Sequence, residues 1–254
     1  MYFDSHVHSA ASPDSEMCPV EAIATLKQKG LGVIFTEHVD FDTKGFVCDF
    51  NIYPSTYAHL RSDSVLLGLE IGLSPDYFDL NKKTADADYD FIIGSVHRVY
   101  GRDVYFDFPT NDAASFIRRY LTYSREMVEL CGIFDAFGHV DYVARYVPEA
   151  GELFCYDNFA EEFDALLKAL AVRDIAIEIN TARFEKLGAD GVRDCLLPIY
   201  RRFAQLGGMY CTIGSDAHDV GRLGSHMDMA INLAIASKLK IVYYKKRVRH
   251  FCGA

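Results

Sequence analysis

The chain alternates short apolar segments of strand length with longer segments in which apolar residues recur every three or four positions. Strand-then-helix units of this kind place their strands side by side in a parallel sheet. The predicted strands are residues 2–6, 33–36, 65–71, 91–95, 136–138, 175–179, 210–214 and 241–244. The predicted helices are residues 19–29, 113–130, 158–172, 191–206 and 227–237, with long loops at 40–60 and 98–111. Because 254 residues is the size of one barrel, we expect a single α/β domain.

Polar side chains cluster where the predicted strands end. His6 and His8 lie two positions apart, so they face the same side of a strand and can reach one metal ion. The other clusters contain Glu37-His38, Glu70, His97, His139-Val140-Asp141 and Ser215-Asp216-Ala217-His218. In parallel α/β barrels the carboxyl ends of the strands meet at one rim, where active sites form. Six clusters at such a rim indicate a hydrolase that binds more than one metal ion.

Hydropathy and cysteine usage indicate where such an enzyme would work. Half of the residues are hydrophobic, but no apolar run approaches the ~18 residues of a membrane span and no signal peptide is visible. The seven cysteines are scattered and form no CxxC motif, which is typical of reduced thiols. We therefore expect a cytoplasmic protein without a membrane partner.

The charge of the chain bears on its partners. The net charge is −10, whereas surfaces that bind nucleic acid are usually basic, so a nucleic-acid partner is disfavoured. The one basic cluster, residues 245–250, is interpreted as a solvated C-terminal tail. The sequence leaves the oligomeric state open.

The motif set and its order from residue 4 to residue 218 resemble the PHP family, which is named for polymerase and histidinol phosphatase. The similarity is greatest to the monofunctional histidinol-phosphate phosphatases of that family, on the segments Phe35-Thr36-Glu37-His38, Gly94-Ser95-Val96-His97, Glu178-Ile179-Asn180-Thr181 and Ile213-Gly214-Ser215-Asp216-Ala217-His218. The resemblance implies that residues 1–254 form one distorted (β/α)7 TIM-like barrel. It also implies a site for two to three divalent metal ions at the carboxyl rim of the strands.

The resemblance carries metal ligands onto particular residues. The implied ligands are His6, His8, Asp14, His38, Glu70, His97, His139, Asp216 and His218. Glu70 would bridge two ions, and we predict catalytic roles for Glu70, Asp216 and His218. Asp14 is an oxygen donor at a place where some relatives have a histidine, so the composition of the third site departs from theirs. Asp4 and Glu37 are expected to orient histidines rather than to bind metal.

The chemistry of these side chains agrees with hydrolysis. Imidazole together with carboxylate suits Zn, Mn or Fe(II). Two ions that share a water lower its pKa from 15.7 toward ~7, which yields a bridging hydroxide that can attack phosphorus. A phosphate group also needs bidentate cationic partners, and arginine is the preferred one. The predicted phosphate-binding residues are Arg145 and Arg183, with Arg98 as a third.

The resemblance predicts a cytoplasmic L-histidinol-phosphate phosphatase of histidine biosynthesis, whose partner is a small phosphomonoester. Its substrate also carries an ammonium and an imidazole, so carboxylates and aromatic rings are expected in the pocket. Candidates in the two long loops are Asp40, Asp42, Phe46, Tyr105, Phe106 and Asp107. Two alternatives remain open: a nucleotide phosphatase or exonuclease of the same family, and a regulatory module that binds metal without catalysis.

Overall fold

The computed structural model describes residues 1–107, 112–146, 151 and 153–253. The strands are β1 Tyr2–Val7, β2 Leu31–Val39, β3 Val65–Gly72, β4 Phe91–Ser95, β5 Arg98–Val99, β6 Arg102–Asp103, β7 Ala136–Phe137, β8 Ala176–Asn180, β9 Tyr210–Gly214, β10 Lys240–Lys245 and β11 Val248–Phe251. Nine of them form one sheet in the order β1-β2-β3-β4-β7-β8-β9-β10-β11, and β5 pairs with β6. Each predicted strand is confirmed, and β5, β6 and β11 are additional.

Helices connect the strands. The α-helices are Pro19–Gln28, Tyr53–Tyr57, Phe78–Ala85, Ala113–Cys131, Val143–Tyr146, Ala160–Val172, Phe184–Gly191, Leu197–Gln205 and Met227–Ser237. Short 3-10 turns lie at Ala58–Leu60, Pro75–Tyr77, Tyr156–Asn158 and Val220–Arg222. The helix expected at residues 191–206 is not one continuous α-helix, because Val192–Leu196 is a π-helical segment. Pro198, in the first turn of the next helix, has no N–H to continue a regular ladder.

The strands from β1 to β4 and from β7 to β9 are parallel, and the run closes on itself. A parallel bridge joins Val7, at the end of β1, to Ala217, just after β9. Beside it, the Asp216 N–H donates to the His6 carbonyl at 2.8 Å, and the His8 N–H donates to the Ala217 carbonyl at 3.0 Å. The α/β fold and its distorted seven-stranded, barrel-like form are therefore confirmed.

Alternate residues of each strand point into this barrel. In β2, Ile34 lies on the same face as His38, and in β3, Leu66 lies on the same face as Glu70. The apolar members of this inner face form one buried cluster of Phe3, Ile34, Leu66, Phe91, Ile93, Ala136, Ala176, Val242 and Tyr244. The larger apolar core packs the outer faces of the strands against the helices. The inner cluster thus forms an apolar floor beneath the polar residues at the carboxyl rim.

The expectation of a solvated basic tail is wrong, because the C-terminal segment forms the antiparallel hairpin β10–β11. Its Val242 and Tyr244 belong to the inner cluster at the end of the barrel opposite the rim. Arg247 makes an ion pair with Asp135 and donates to the carbonyls of Ala85 and Ile133 at 2.9 and 2.8 Å. A run of basic residues usually indicates a segment exposed to solvent. Here the Arg247 guanidinium instead donates hydrogen bonds to backbone carbonyl oxygens that have no partner in the sheet.

None of the helices in the described part of the chain is both long enough and apolar enough to cross a membrane.

Candidate metal centre

Six strands bring the predicted ligands to one rim. His6 lies within β1, His38 within β2 and Glu70 within β3, whereas His97, His139 and Asp216 each follow a strand by two residues. Five of the six are buried, and the sixth, His97, is partly buried with about one-tenth of its side chain exposed. Polar groups are buried at this density only where they pair with one another or bind metal.

Glu70 lies at the centre of this group. Its Oε2 is 3.2 Å from His6 Nε2, 3.5 Å from His8 Nε2 and 3.1 Å from His38 Nδ1. Its Oε1 is 2.7 Å from His139 Nε2 and 3.2 Å from His97 Nε2. One carboxylate therefore faces five imidazoles, three on one oxygen and two on the other. This arrangement places each oxygen where it could bind a different ion.

Asp216 forms the second carboxylate of the centre. Its Oδ1 is 3.6 Å from His6 Nε2 and 3.3 Å from His8 Nε2, so His6 in β1 and His8 just after it face the same two carboxylates, Glu70 and Asp216. Asp216 has a φ of 56°, in the left-handed region that side-chain-bearing residues seldom adopt. Strained backbone of this kind is typical of functional sites.

The predicted third site lies at the outer side of the centre. Asp14 Oδ2 is 3.1 Å from His218 Nε2 and 3.5 Å from His38 Nε2. The His8 ring stacks between these two histidines, with centroids 4.1 Å from His38 and 4.3 Å from His218. Asp14 therefore occupies a ligand-like place, although it is more exposed than the inner residues.

The donor set fits metal ions. Several buried atoms have no hydrogen-bond partner among the described residues, and they face one another: His6 Nε2, His8 Nε2, His38 Nδ1, Asp40 Oδ2 and Glu70 Oε2. Four overlapping groups could each hold an ion: His8–His38–His218, His6–His8–Asp216, His6–Glu70–His139 and His38–Asp40–His97. Their shared members indicate a centre for more than one ion.

The histidines of the centre fall into two groups, those whose pKa is lowered and those whose pKa is raised. Burial and the charge of His38 lower the pKa of His8 to about 3, and burial lowers the pKa of His139. For His38, burial acts in the same direction, but Glu70, Asp14 and Asp40 outweigh it and raise the pKa to about 10. Burial raises the pKa of Glu70, yet His6 and His38 outweigh it and hold that pKa well below its usual value. Without metal ions, imidazoles of the centre with a raised pKa therefore bind protons in place of the metal.

Two acidic residues that contact the candidate ligands were not predicted from the sequence to belong to the metal centre. Glu178 Oε1 is 2.6 Å from His6 Nδ1, and its Oε2 accepts from the His139 backbone N–H at 2.6 Å. Asp40 Oδ1 is 2.7 Å from His97 Nδ1, and its Oδ2 is 3.4 Å from His38 Nδ1. The signals for Glu178 were its position near the end of a strand and its place in the segment Glu178-Ile179-Asn180-Thr181. For Asp40 the signal was the spacing His38-x-Asp40, because residues two positions apart at the end of β2 face the same side.

Asp4 and Glu37 were expected to orient histidines, but they accept hydrogen bonds from backbone N–H groups instead. Asp4 accepts hydrogen bonds from the backbone N–H groups of Ser215 and Gly224, both at 2.8 Å. Glu37 accepts from the Ser9 N–H at 3.1 Å. They hold the segments that carry the ligands in place, rather than binding an imidazole directly. Burial raises the pKa of Glu37 to about 7, which is consistent with a structural hydrogen-bonding role.

The three predicted arginines lie in different environments. Arg145 lines the cavity above the centre and donates to Asp216 Oδ2 at 2.6 Å, while its Nε and Nη2 have no partner among the described residues. Arg183 is buried and donates to Asp141 at 3.0 Å. Arg98 donates to the Gly101 carbonyl and lies near Asp42 and Asp103. Arg183 and Arg98 are not among the described residues that line the cavity, and their phosphate contact stays a prediction.

The cavity has a volume of about 240 Å³ and opens between the two long loops. Of the predicted pocket residues, Asp40, Phe46, Tyr105 and Phe106 line it. Asp42 lines a separate depression, and Asp107 accepts from the Asp103 backbone N–H at 3.1 Å. The cavity floor is made of metal-ligand candidates, with Arg145 in its wall. This arrangement can hold a small anion against metal ions.

Comparisons with known proteins agree with this geometry. The family model for the PHP domain matches residues 4–182. The chain is 35% identical to a probable histidinol-phosphatase of Clostridium acetobutylicum, over 99% of this chain and all of that protein. It is 30% identical to the histidinol-phosphatase of Lactococcus lactis, over 97% of this chain and 98% of that protein.

A solved structure has the same fold. The crystal structure of histidinol phosphate phosphatase from Lactococcus lactis, in complex with zinc, L-histidinol and phosphate, superposes with a TM-score of 0.85. It is 26% identical in sequence, and the match covers 98% of both chains.

Proposed function

The chain belongs to the PHP domain family, and from this premise we propose that it is a metal-dependent phosphatase that hydrolyses L-histidinol phosphate to L-histidinol and phosphate. The relatives that it matches over nearly their whole length carry the name histidinol-phosphatase. The solved relative was captured with zinc and with both products of that reaction.

The observation that carries the proposal is the position of Glu70 between five imidazoles. Three imidazoles face its Oε2 and two face its Oε1, which is the arrangement that a bridging carboxylate requires. We assign the metal ions to His6, His8, Asp14, His38, Glu70, His97, His139, Asp216 and His218, with Asp40 as a further oxygen donor. Bound ions would supply a nucleophile at neutral pH and positive charge against the phosphate.

The residues of the chain perform the remaining tasks. Arg145 has two buried, unpartnered groups, Nε and Nη2, among the described residues, and it would direct them at the phosphate. Asp216 faces His6 and His8 through Oδ1 and Arg145 through Oδ2, so it would link metal binding to phosphate binding. Glu178 accepts from the ring of His6 or receives its proton, and thereby sets which nitrogen faces the metals.

His218 would complete this assignment. Its Nε2 lies 3.1 Å from Asp14 and its Nδ1 lies 3.1 Å from the Asp216 carbonyl, so the ring is held on both sides. It is about one-third exposed and lines the cavity, which would bring it within reach of the substrate. We assign it the outermost metal-binding position and a catalytic role beside Glu70 and Asp216.

The proposed reaction places the protein in the cytoplasm, in histidine biosynthesis, with a small phosphomonoester as its partner. Phosphate release should be compared for histidinol phosphate, a nucleoside monophosphate and phosphotyrosine, with Zn, Mn and Fe(II) in turn. We expect histidinol phosphate to give the highest kcat/KM. A higher kcat/KM for the nucleotide would contradict the proposal and favour a nucleotide phosphatase.

A further inference from the structure

We propose that four aromatic side chains and one carboxylate at the cavity mouth select substrates by the planar, cationic group at the end opposite the phosphate. The four rings, here called the aromatic rim, are Tyr105, Phe106, Tyr142 and Tyr146. The carboxylate is Asp103. This inference rests on the proposed function, because it assumes that the phosphate group binds at the metal centre.

The aromatic rim is continuous with the metal centre. The Tyr142 ring lies 4.8 Å from His97 and 4.9 Å from His139, measured between centroids. From Tyr142 the row continues to Tyr146 at 5.1 Å. When the phosphate group of a substrate reaches the metal centre, the rest of the substrate would therefore contact aromatic rings and not aliphatic side chains.

The outer rings extend this row to the surface. Tyr105 lies 4.8 Å from Tyr146 and 4.7 Å from Phe106, both edge to face. Phe106 is 73% exposed, Tyr105 56% and Tyr146 41%. Large exposed aromatic side chains that lie together at the mouth of a polar cavity are typical of a surface that a ligand covers.

The charge at the mouth favours a cation. Asp103 lines the cavity and is largely buried. Its Oδ1 accepts from the backbone N–H groups of Tyr105 and Phe106 at 2.8 and 3.1 Å, so it also positions both rings. Its Oδ2 lies 3.6 Å from Arg98 Nη1, a distance too long for a hydrogen bond. Aromatic faces attract cations through their quadrupole, and the carboxylate adds negative charge that the ion pair with Arg98 offsets in part.

An imidazolium or a comparable planar cation suits this combination better than a neutral polyol does. The rings offer flat faces, and a cation placed over them gains attraction in addition to contact. A neutral, non-planar group makes less contact with the flat faces and gains no cation–π attraction. The rim therefore contributes to the specificity of the enzyme, whereas the metal centre and Arg145 serve any phosphomonoester.

The test compares two substrates with the zinc-loaded enzyme. Histidinol phosphate carries an imidazole, which becomes a planar cation when it is protonated (pKa ~6.5), and glycerol phosphate carries a neutral alcohol. The measured quantity is the ratio of their kcat/KM values in the wild type, in Phe106→Leu and in Asp103→Asn. Leucine keeps apolar bulk without a ring, and asparagine keeps the Oδ1 acceptor without the charge. We expect the ratio to fall roughly three- to thirtyfold in each variant, through KM.

The matched control is Phe251→Leu, an exposed phenylalanine in β11 at the opposite end of the barrel. Its ratio should equal that of the wild type. Inhibition of glycerol phosphate hydrolysis by L-histidinol is measured in parallel, and it should weaken in both rim variants. Ratios within twofold of wild type in both variants would overturn the role of the rim and leave the proposed function intact.

The inhibition measurement also separates the two proposals. A wild-type enzyme that hydrolyses glycerol phosphate but not histidinol phosphate would contradict the proposed function. Inhibition by L-histidinol that is strong in the wild type and lost in Phe106→Leu would still support the rim in that case. Inhibition that is equal in wild type and variants would overturn it.

Discussion

At the scale of single residues, the centre depends on Glu70 more than on any imidazole. Each histidine faces between one and three carboxylates, but Glu70 faces five histidines and also accepts from Ser95 Oγ at 2.6 Å. The loss of one histidine removes one donor. The loss of the Glu70 charge weakens both sides of the centre together.

Glu70→Gln should therefore lower kcat by more than about a hundredfold, since even changes behind the metal ligands cost 10–100-fold. The amide has nearly the shape of the carboxylate, so circular dichroism should match that of the wild type. Metal content per chain, measured by elemental analysis, should fall. Unchanged turnover together with unchanged metal content would show that Glu70 does not bridge.

Arg145 and Arg183 should respond differently to the same truncation. Arg145→Ala should reduce kcat/KM by about ten- to a hundredfold, the value of one charge-assisted hydrogen bond, while metal content stays constant. Arg183→Ala leaves Asp141 buried without its cationic partner, which costs roughly 3–5 kcal/mol of stability. Steady-state kinetics and urea unfolding of both variants test this contrast. A large loss of stability in Arg145→Ala alone would reverse these assignments.

The pKa values predict proton release on metal binding. Carboxylates around His6, His38 and His97 outweigh burial and raise the pKa of each imidazole, that of His38 to about 10. Groups with a pKa above 7 carry a proton at neutral pH in the metal-free protein, and a metal must displace it. Zinc affinity should therefore rise as the pH increases from 6 to 9. Calorimetric titrations in buffers of different ionisation enthalpy measure the released protons, and buffer-independent heats would contradict the expectation.

At the scale of elements, the C-terminal hairpin closes the end of the barrel that lies away from the metal centre. Its strand β10 contributes Val242 and Tyr244 to the inner apolar cluster. The turn that follows is fixed by Asp90, which accepts from the Lys246 N–H at 3.0 Å through its side chain and from the Arg247 N–H at 2.9 Å through its carbonyl.

Arg247→Ala should destabilise the fold by about 2–4 kcal/mol, because it leaves Asp135 and two carbonyls without their donor. Lys245→Ala is the matched control within the same hairpin. Lys245 pairs with the exposed Asp63, and because solvent screens this pair its loss should have little effect on stability. Urea unfolding of the two variants gives both values, and equal losses would mean that the hairpin does not depend on Arg247.

Periodicity was enough to predict the strands and most helices, because a face buried in a barrel leaves an unmistakable apolar pattern. It did not predict β11, where Arg249, like Arg247 in the preceding turn, pairs with an aspartate distant in sequence, Asp174 and Asp135 respectively. The motifs predicted which candidate ligands lie together, but the pairing of Glu178 with His6 spans 172 positions and leaves no local signal. Side chains on distant strands meet only when the barrel closes, so the spacing of residues along the chain does not predict which of them pair.

At the scale of the whole molecule, metal binding and folding stability are coupled. The centre joins residues from β1, β2 and β3 to the segments after β4, β7 and β9, so it links strands around the barrel. A ligand that binds only the folded state at a thousandfold over its Kd contributes about 4 kcal/mol. Removal of the metal should therefore loosen the entire barrel.

Chelation should abolish phosphatase activity and lower Tm by roughly 10 °C, and added zinc should restore both. Elemental analysis of the active protein should find more than one metal per chain. Magnesium, which prefers oxygen donors, serves as the control ion and should restore little. Full activity with less than one metal per chain would contradict a multinuclear centre.

The closure of β1 against β9 also constrains when the enzyme can become active during its synthesis. Asp4 and His6 leave the ribosome well before their partners Ser215 and Asp216, which are translated about two hundred residues later. A nascent chain that ends before residue 216 lacks one wall of the centre. The complete metal centre therefore cannot form before residue 216 has been synthesised, and we expect a chain that ends earlier to bind zinc more weakly.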